Sequence, residues 1–170
     1  MSLSLELKET FETSLQNVEK KTINFGVAVS GGSDSVALLM LLLPWALKNN
    51  KKLFVVTVDH GLRTAATDEA SYVKKLCFKH SVKHEILKIN KVVKGNVQAW
   101  ARENRYKLIS KWAKKNRIQS VFLGHTLNDQ AETVLLRLGR GSGVDGLAGM
   151  RLESIRENLL WLRPLLNIDR

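Results

Sequence analysis

Apolar positions recur along the chain at two alternating periods. Leu3, Leu7, Phe11, Leu15 and Val18 fall at helical spacing and predict an amphipathic helix over residues 2–20. A short β-branched run from Ile23 to Val29 predicts a strand, followed by a glycine turn and a leucine-rich helix from about Asp34 to Lys48. Pro44 is expected to bend or shorten that helix. Lys52 to Val58 predicts a second strand, and TAATDEASYVKKLCFKH, residues 64–80, the helix after it. Glu85 to Ile89 predicts a third strand, and Asn96 is placed to cap a long helix through Arg117. Val121 to Gly124 predicts a fourth strand, with a helix from about Asp129 to Leu138 behind it. The connection GRGSGVDGLAGM then leads into a hairpin over 151–163 that turns near Glu157 and Asn158.

Strands alternating with helices define βαβ units, hence an α/β fold: a Rossmann-like parallel sheet with helices on both faces. Ligands in such sheets bind beyond the carboxyl ends of the strands. Ser30 to Ser35, the trio Asp59, His60 and Gly61, and Gly124 to Asp129 all lie at such ends. Distant in sequence, they are expected to meet in the fold as one site.

Composition narrows the picture. The 170 residues, 44% hydrophobic and 25% charged, suit one globular domain. The apolar run from Val36 to Trp45 is too short for a bilayer, which needs roughly 20 residues. The first twelve residues are acidic in part and lack the apolar core of a secretory signal. Cys77 stands alone, so no intrachain disulfide forms, which fits a reducing, cytoplasmic setting. The formal net charge of +11 favours a polyanionic partner: nucleic acid, nucleotide or anionic membrane. No basic amphipathic helix with bulky exposed apolar residues is evident, so a membrane is not expected. A basic surface that serves only solubility is the plainer alternative.

SGGSDS, residues 30–35, ends a strand and opens a helix. Gly31 and Gly32 permit close approach of a ligand, and the free N–H groups of the helix start favour an anion. Ser30, Ser33 and Ser35 add hydroxyls. The pattern of a Walker loop is absent. A serine-capped helix after a glycine turn is the alternative, and these residues alone do not decide between the two.

The S-G-G-x-D-S stretch resembles the PP-loop of the ATP pyrophosphatase superfamily. VDHGLR (58–63), VQAWARENRY (97–106), GHTLNDQAETVLLRLGRGSGVDGLAGM (124–150) and LRPLL (162–166) resemble, in the same order, the tRNA(Ile)-lysidine synthetase family. The resemblance runs from about residue 24 to 166 and implies an adenine-nucleotide α-hydrolase fold of PP-loop type. It implies ATP as substrate, Mg²⁺ as cofactor, and free L-lysine and the CAU-anticodon isoleucine tRNA as partners. A homodimer is left open. Relatives continue past LRPLL with further catalytic sequence. The chain is therefore expected to be a single catalytic domain over 1–170, truncated at its C-terminal end, that binds ATP but completes the reaction weakly.

At 100° per residue, Val97, Ala101, Leu108, Ile109 and Trp112 share one helix face, with Arg105 in its middle and Arg102 at its edge. A guanidinium there needs a partner, either a buried carboxylate or a phosphate. Asp129, Glu132 and Thr133 share a face opposite Ala131, Val134, Leu135 and Leu138. Asp129 with Glu132 reads as a capping box or as carboxylates facing a nucleotide and Mg²⁺. His125 is a phosphate contact or a polar strand end. The resemblance implies Asp34, Arg105, His125 and Asp129 as catalytic, with Asp34 and Asp129 toward Mg²⁺. It implies Ser30, Gly31, Gly32, Ser33, Asp34, Ser35, Asp59, His60 and Gly124 around the nucleotide. Gly141 to Gly146 spells G-x-G-x-x-G but follows a helix, so the dinucleotide fingerprint fails its context test. Arg102, Arg105, Lys107, Lys111, Lys114, Lys115 and Arg117, with only Glu103 against them, form for the most part either a solvated face or a tRNA-backbone contact. Another PP-loop enzyme, for tRNA thiolation or amidotransfer, and a non-catalytic ATP-binding regulator are the rival functions.

Overall fold

The computed structural model describes residues 5–15, 22–59, 64–89, 97–141, 143 and 148–169. Its elements are α1 (Leu5–Ser14), β1 (Asn24–Ala28), α2 (Ser33–Lys48), β2 (Lys52–Asp59), α3 (Thr64–Lys79), β3 (Lys83–Lys88), α4 (Val97–Lys115), β4 (Ser120–Leu123), α5 (Leu127–Gly139), β5 (Glu153–Arg156) and β6 (Leu159–Leu162). They build one sheet in the order β3-β2-β1-β4-β6-β5, parallel except for β5. The expected α/β architecture is borne out.

Alternation within β1 shows why a parallel sheet forms. Phe25, Val27 and Val29 join one core cluster, with Phe11 and Leu15, Leu38, Leu39 and Leu42 of α2, and Val73 and Cys77 of α3. On the opposite face, Tyr106, Ile109, Trp112 and Ala113 of α4 pack with Val56, Val121, Leu123 and Trp161. Both faces are apolar because helices cover both. Gly26 belongs to the second face, where a Cβ would come within 2.9 Å of Trp112.

Chain order places the site. From β1 the chain steps through β2 to β3 on one side, then α4 carries it across to β4 on the other side of β1. The reversal opens a crevice beyond the carboxyl ends of β1 and β4. Residues 29–35 and 124–129 leave the sheet there.

Several boundaries differ from the sequence reading. α2 continues through Pro44 to Lys48. Pro44 and Met40 both lie on the exposed side, so the Met40 carbonyl that loses its hydrogen-bond donor is open to water. α4 ends at Lys115, and Arg117 takes a left-handed φ of 55°. The hairpin turns at Glu157 and Asn158 as expected, both with positive φ, which suits the twist of the paired strands. Asn96, Val18 and much of the G-x-G-x-x-G stretch lie outside the described residues.

α5 departs most. Its N-cap is Thr126, with Asp129 as the acceptor in the box, where the sequence reading began the box at Asp129 with Glu132. The apolar face read from Val134, Leu135 and Leu138 does not join the core: no α5 residue is classed as buried. Periodicity reports a face and cannot say whether a neighbour covers it.

Candidate functional site

Two helices begin at the crevice, and their first turns are built differently. α5 is closed by its own residues, since Asp129 Oδ2 accepts from the Thr126 N–H at 2.7 Å and the Thr126 hydroxyl at 3.1 Å. α2 has Gly32 as its N-cap, with no side chain to close the turn. Its N-terminal N–H groups are therefore the anion-seeking end of the crevice.

The loop before α2 is held by Ser35. This buried hydroxyl donates to Gly32 O at 2.9 Å and accepts from Ser30 N–H at 3.2 Å, with Ser30 Oγ also 3.2 Å away. Its one proton is thus engaged inside the loop. Ser30 and Ser33 are exposed, and Ser33 donates to Asp34 Oδ1 at 3.1 Å. Gly31 takes φ +101° and backs onto α3, where a Cβ would meet Glu69 Cβ at 2.7 Å. Beneath the loop, Thr57 donates to Val29 O at 2.7 Å, which leaves its oxygen to accept from His84 Nε2 at 2.9 Å. This chain of bonds fixes the end of β1.

A cavity of about 400 Å³ lies at the crevice. Ser30, Gly32, Ser33, Asp34, Ser35, Arg105, Gly124, His125 and Asp129 all line it, so three distant segments meet as the topology requires. Gly31 and Asp59 are not among the lining residues. Asp59 O accepts from Ile89 N–H at 3.0 Å, while Val58 before it does face the cavity. His60 lies outside the described residues. Glu132 is exposed and off the cavity. Sequence reasoning missed Thr57 and Glu69, which also line it. Thr57 is the one polar residue in the apolar run from Leu53 to Val58 and was a legible signal, whereas Glu69 is placed only by tertiary packing.

Arg105 is the one arginine among the described residues that line the cavity, beside the carboxylates of Asp34, Glu69 and Asp129. Arg105 has no ion pair with a carboxylate among the described residues. Desolvation pushes its pKa below the ordinary value, Arg102 and Arg163 push the same way, and Tyr106 opposes them. Arg163 is buried, donates to Arg151 O and Ser154 Oγ at 3.0 Å each, and leaves Nε without a partner. The carboxylate partner weighed for Arg105 is not what the fold supplies. An anion in the cavity is a partner that Arg105 can take.

His125 registers this field. Burial first, then Arg105 and Arg163, depress its pKa to about 4, and its buried Nδ1 has no partner. The folded protein therefore refuses a proton that the unfolded chain accepts between about pH 6.5 and 4. Stability attributable to this group falls as pH drops through that window and is unaffected above it. A polyphosphate in the cavity offsets the arginines and should raise the His125 pKa. Imidazole proton shifts followed by NMR, with and without the anion, check this, and an unchanged midpoint would separate His125 from the ligand.

An open helix N-terminus and Arg105 sharing one cavity at a topological switch point mark the chain as an α/β domain suited to a phosphate-bearing ligand. A family profile described as a PP-loop domain matches residues 4–170, and the chain belongs to that family. It is 47% identical over 146 residues to a tRNA(Ile)-lysidine synthase of Ruegeria pomeroyi, covering 85% of this chain and 35% of that one. It is 43% identical over 171 residues to the tRNA(Ile)-lysidine synthase of Wolbachia pipientis, covering 98% and 39%. The chain thus spans less than half the length of these relatives. Among solved structures it is similar to the U34-tRNA thiolase NcsA of Methanococcus maripaludis with its [4Fe-4S] cluster, at TM-score 0.81 and 22% identity over 96% of this chain and 59% of that one. It is also similar to an NH3-dependent NAD synthetase of Campylobacter jejuni, at TM-score 0.56 and 15% identity over 97% and 66%. At these identities the structural likeness speaks to the fold alone.

Proposed function

We propose that the chain is the ATP-handling catalytic domain of a tRNA(Ile)-lysidine synthase. It activates C2 of the wobble cytidine in the CAU-anticodon isoleucine tRNA for attack by free lysine, in the cytoplasm where its tRNA resides. The observation that carries this reading is the pairing of an uncapped helix start with Arg105 across one cavity. The relatives named above support the choice of reaction. They outweigh a thiolase reading, since Cys77 is the chain's one cysteine, buried on α3, with its thiol pKa raised by burial to about 11.

In this mechanism the cytosine O2 attacks the α-phosphorus of ATP. An O–P bond forms, and the bond from the α-phosphorus to the bridging oxygen breaks, releasing pyrophosphate. The α2 N-terminus and the exposed serines hold the leaving pyrophosphate. Arg105 offsets the charge that grows at the α-phosphate. The lysine amine then attacks C2, AMP departs with the bonding pair, and the nitrogen loses a proton. His125 lines the same cavity, where its buried Nδ1, without a partner among the described residues, is open to substrate. Asp34 and Asp129 both line the cavity and would be the carboxylates to hold a Mg²⁺, which would neutralise polyphosphate charge.

Labelled AMP release from ATP tests this, with the 170-residue chain, isoleucine tRNA and lysine each present or withheld. Release that requires both tRNA and lysine is expected. Release driven by sulfide or ammonia in place of lysine would overturn the reading in favour of another PP-loop chemistry.

A further inference from the structure

Tyr106 follows Arg105 on α4, is buried, and takes no part in the chemistry above. It is not among the residues lining the cavity, but it touches one that is. Its ring centroid lies 5.8 Å from the Arg105 guanidinium carbon, and its hydroxyl is hydrogen-bonded to that guanidinium. Arg163, just past β6, bonds the same side chain from the other direction. A guanidinium carries only donors, so the phenol oxygen is the acceptor in both bonds. Burial raises the Tyr106 pKa, but Arg105, Arg163 and Arg102 together outweigh it and hold the phenol below its ordinary value.

The ring is clamped by the β5–β6 hairpin. Arg156 lies over it at 4.2 Å from the centroid and is ion-paired with Glu103 of α4. Trp161 meets it at 4.6 Å with the planes 80° apart, and Trp161 Nε1 donates to Arg156 O at 3.0 Å. Arg163 is itself tied down, donating to Arg151 O and Ser154 Oγ at 3.0 Å each. The phenol oxygen is therefore held from the hairpin side, and Arg105 is held by the phenol.

Arg105 needs such a hold. Arg102 and Arg163 repel it, and no carboxylate among the described residues pairs with it. Its long side chain has much rotamer freedom to lose. A guanidinium already aimed when charge grows on a phosphate costs no reorganisation at that moment. We propose that Tyr106 is a positioning residue: its hydroxyl, anchored by the β5–β6 hairpin, fixes the Arg105 guanidinium at the cavity for the α-phosphate. The aim at a phosphate rests on the function proposed above; the fixing of the guanidinium does not.

Tyr106→Phe tests this in the 170-residue chain, since it removes the hydroxyl and keeps the ring between Arg156 and Trp161. The side-chain N–H resonances of Arg105, assigned by their loss in Arg105→Met, are followed by NMR. Pyrophosphate release dependent on tRNA gives kcat, calorimetry gives affinity for a non-hydrolysable ATP analogue, and melting temperature is recorded. In Tyr106→Phe the Arg105 protons should exchange with water roughly tenfold faster than in the parent. Its kcat should fall roughly tenfold, the worth of one hydrogen bond to a charged group, with analogue affinity within about twofold. Arg156→Gln is the control: it disturbs the same packing but keeps the hydroxyl, and Trp161 still holds the ring. It should keep parental Arg105 exchange and kcat whatever its melting temperature. Parental exchange or parental kcat in Tyr106→Phe would overturn the proposal, as would equal losses in both variants. A parent chain without tRNA-dependent release would overturn the function proposed above and the aim at a phosphate with it, while the Arg105 resonances still decide whether Tyr106 fixes the guanidinium.

Discussion

Gly124→Ala is expected to weaken ATP binding while leaving the sheet assembled. A Cβ at 124 would stand 2.9 Å from Ser35 Cα, 3.0 Å from Ser35 N and 3.1 Å from Asp34 C. All three are backbone atoms of the first turn of α2, so no side chain can swing aside. The turn must retreat from β4, and with it the N–H groups aimed at the phosphates. Overpacking of this kind costs about 1–3 kcal/mol, which corresponds to roughly five- to 150-fold in affinity if it falls on the bound state. Gly32→Ala is the informative contrast. Only Ser30 Oγ lies near its added Cβ, at 3.6 Å, and Gly32 has an ordinary extended backbone at φ −69°. That protein should fold as the parent does. Loss of ATP binding in it would mean that a phosphate passes where the methyl sits. Calorimetry with the ATP analogue, beside thermal melts, separates the two, and a Gly124→Ala protein with parental affinity would show that the loop does not depend on β4 contact.

That contrast also marks how far the sequence could be read. SGGSDS announced an anion loop because turn chemistry and helix start are local properties. Which glycine serves packing and which serves the ligand is not local. Gly31 is required by φ +101° and by Glu69, Gly124 by the backbone of α2, and both neighbours arrive through tertiary structure. β1, β2 and β4 were legible because each run is apolar on both faces, a pattern that helices on both sides impose. Their order was not legible, since nothing in β6 says that it adds beside β4 while β5 turns back as the edge. Arg105 could be singled out as a charge within an apolar stripe. Arg163, inside the quoted LRPLL, carried no such flag, because a charge in a short strand exit is ordinary until its burial is known. Asp129 was noticed as a cap, but the cap residue itself, Thr126, was hidden behind Leu127, which reads as strand or helix equally well.

Arg105→Met should pull stability and catalysis in opposite directions. The guanidinium is desolvated, repelled by Arg102 and Arg163, and has no carboxylate partner among the described residues. A buried charge of that kind opposes folding, so an apolar side chain of similar length relieves a burden. The variant is expected to melt a few degrees higher than the parent. The same charge is what the growing negative charge at the α-phosphate would meet, and removing one preorganised donor of this sort slows a reaction on the order of a hundredfold or more. Pyrophosphate release dependent on tRNA should fall by that factor, while affinity for the ATP analogue, set largely by the α2 N-terminus, changes little. His125 supplies an independent readout: with Arg105 gone, one of the two leading arginine contributions depressing its pKa disappears, and its titration should move up from about 4. A variant that is less stable and equally active would mean that the bond of Arg105 to Tyr106 serves the fold and that the guanidinium has no part in the chemistry. A gain in melting temperature coupled to loss of turnover is the signature of a site that holds its charge against the fold, in readiness for a phosphate.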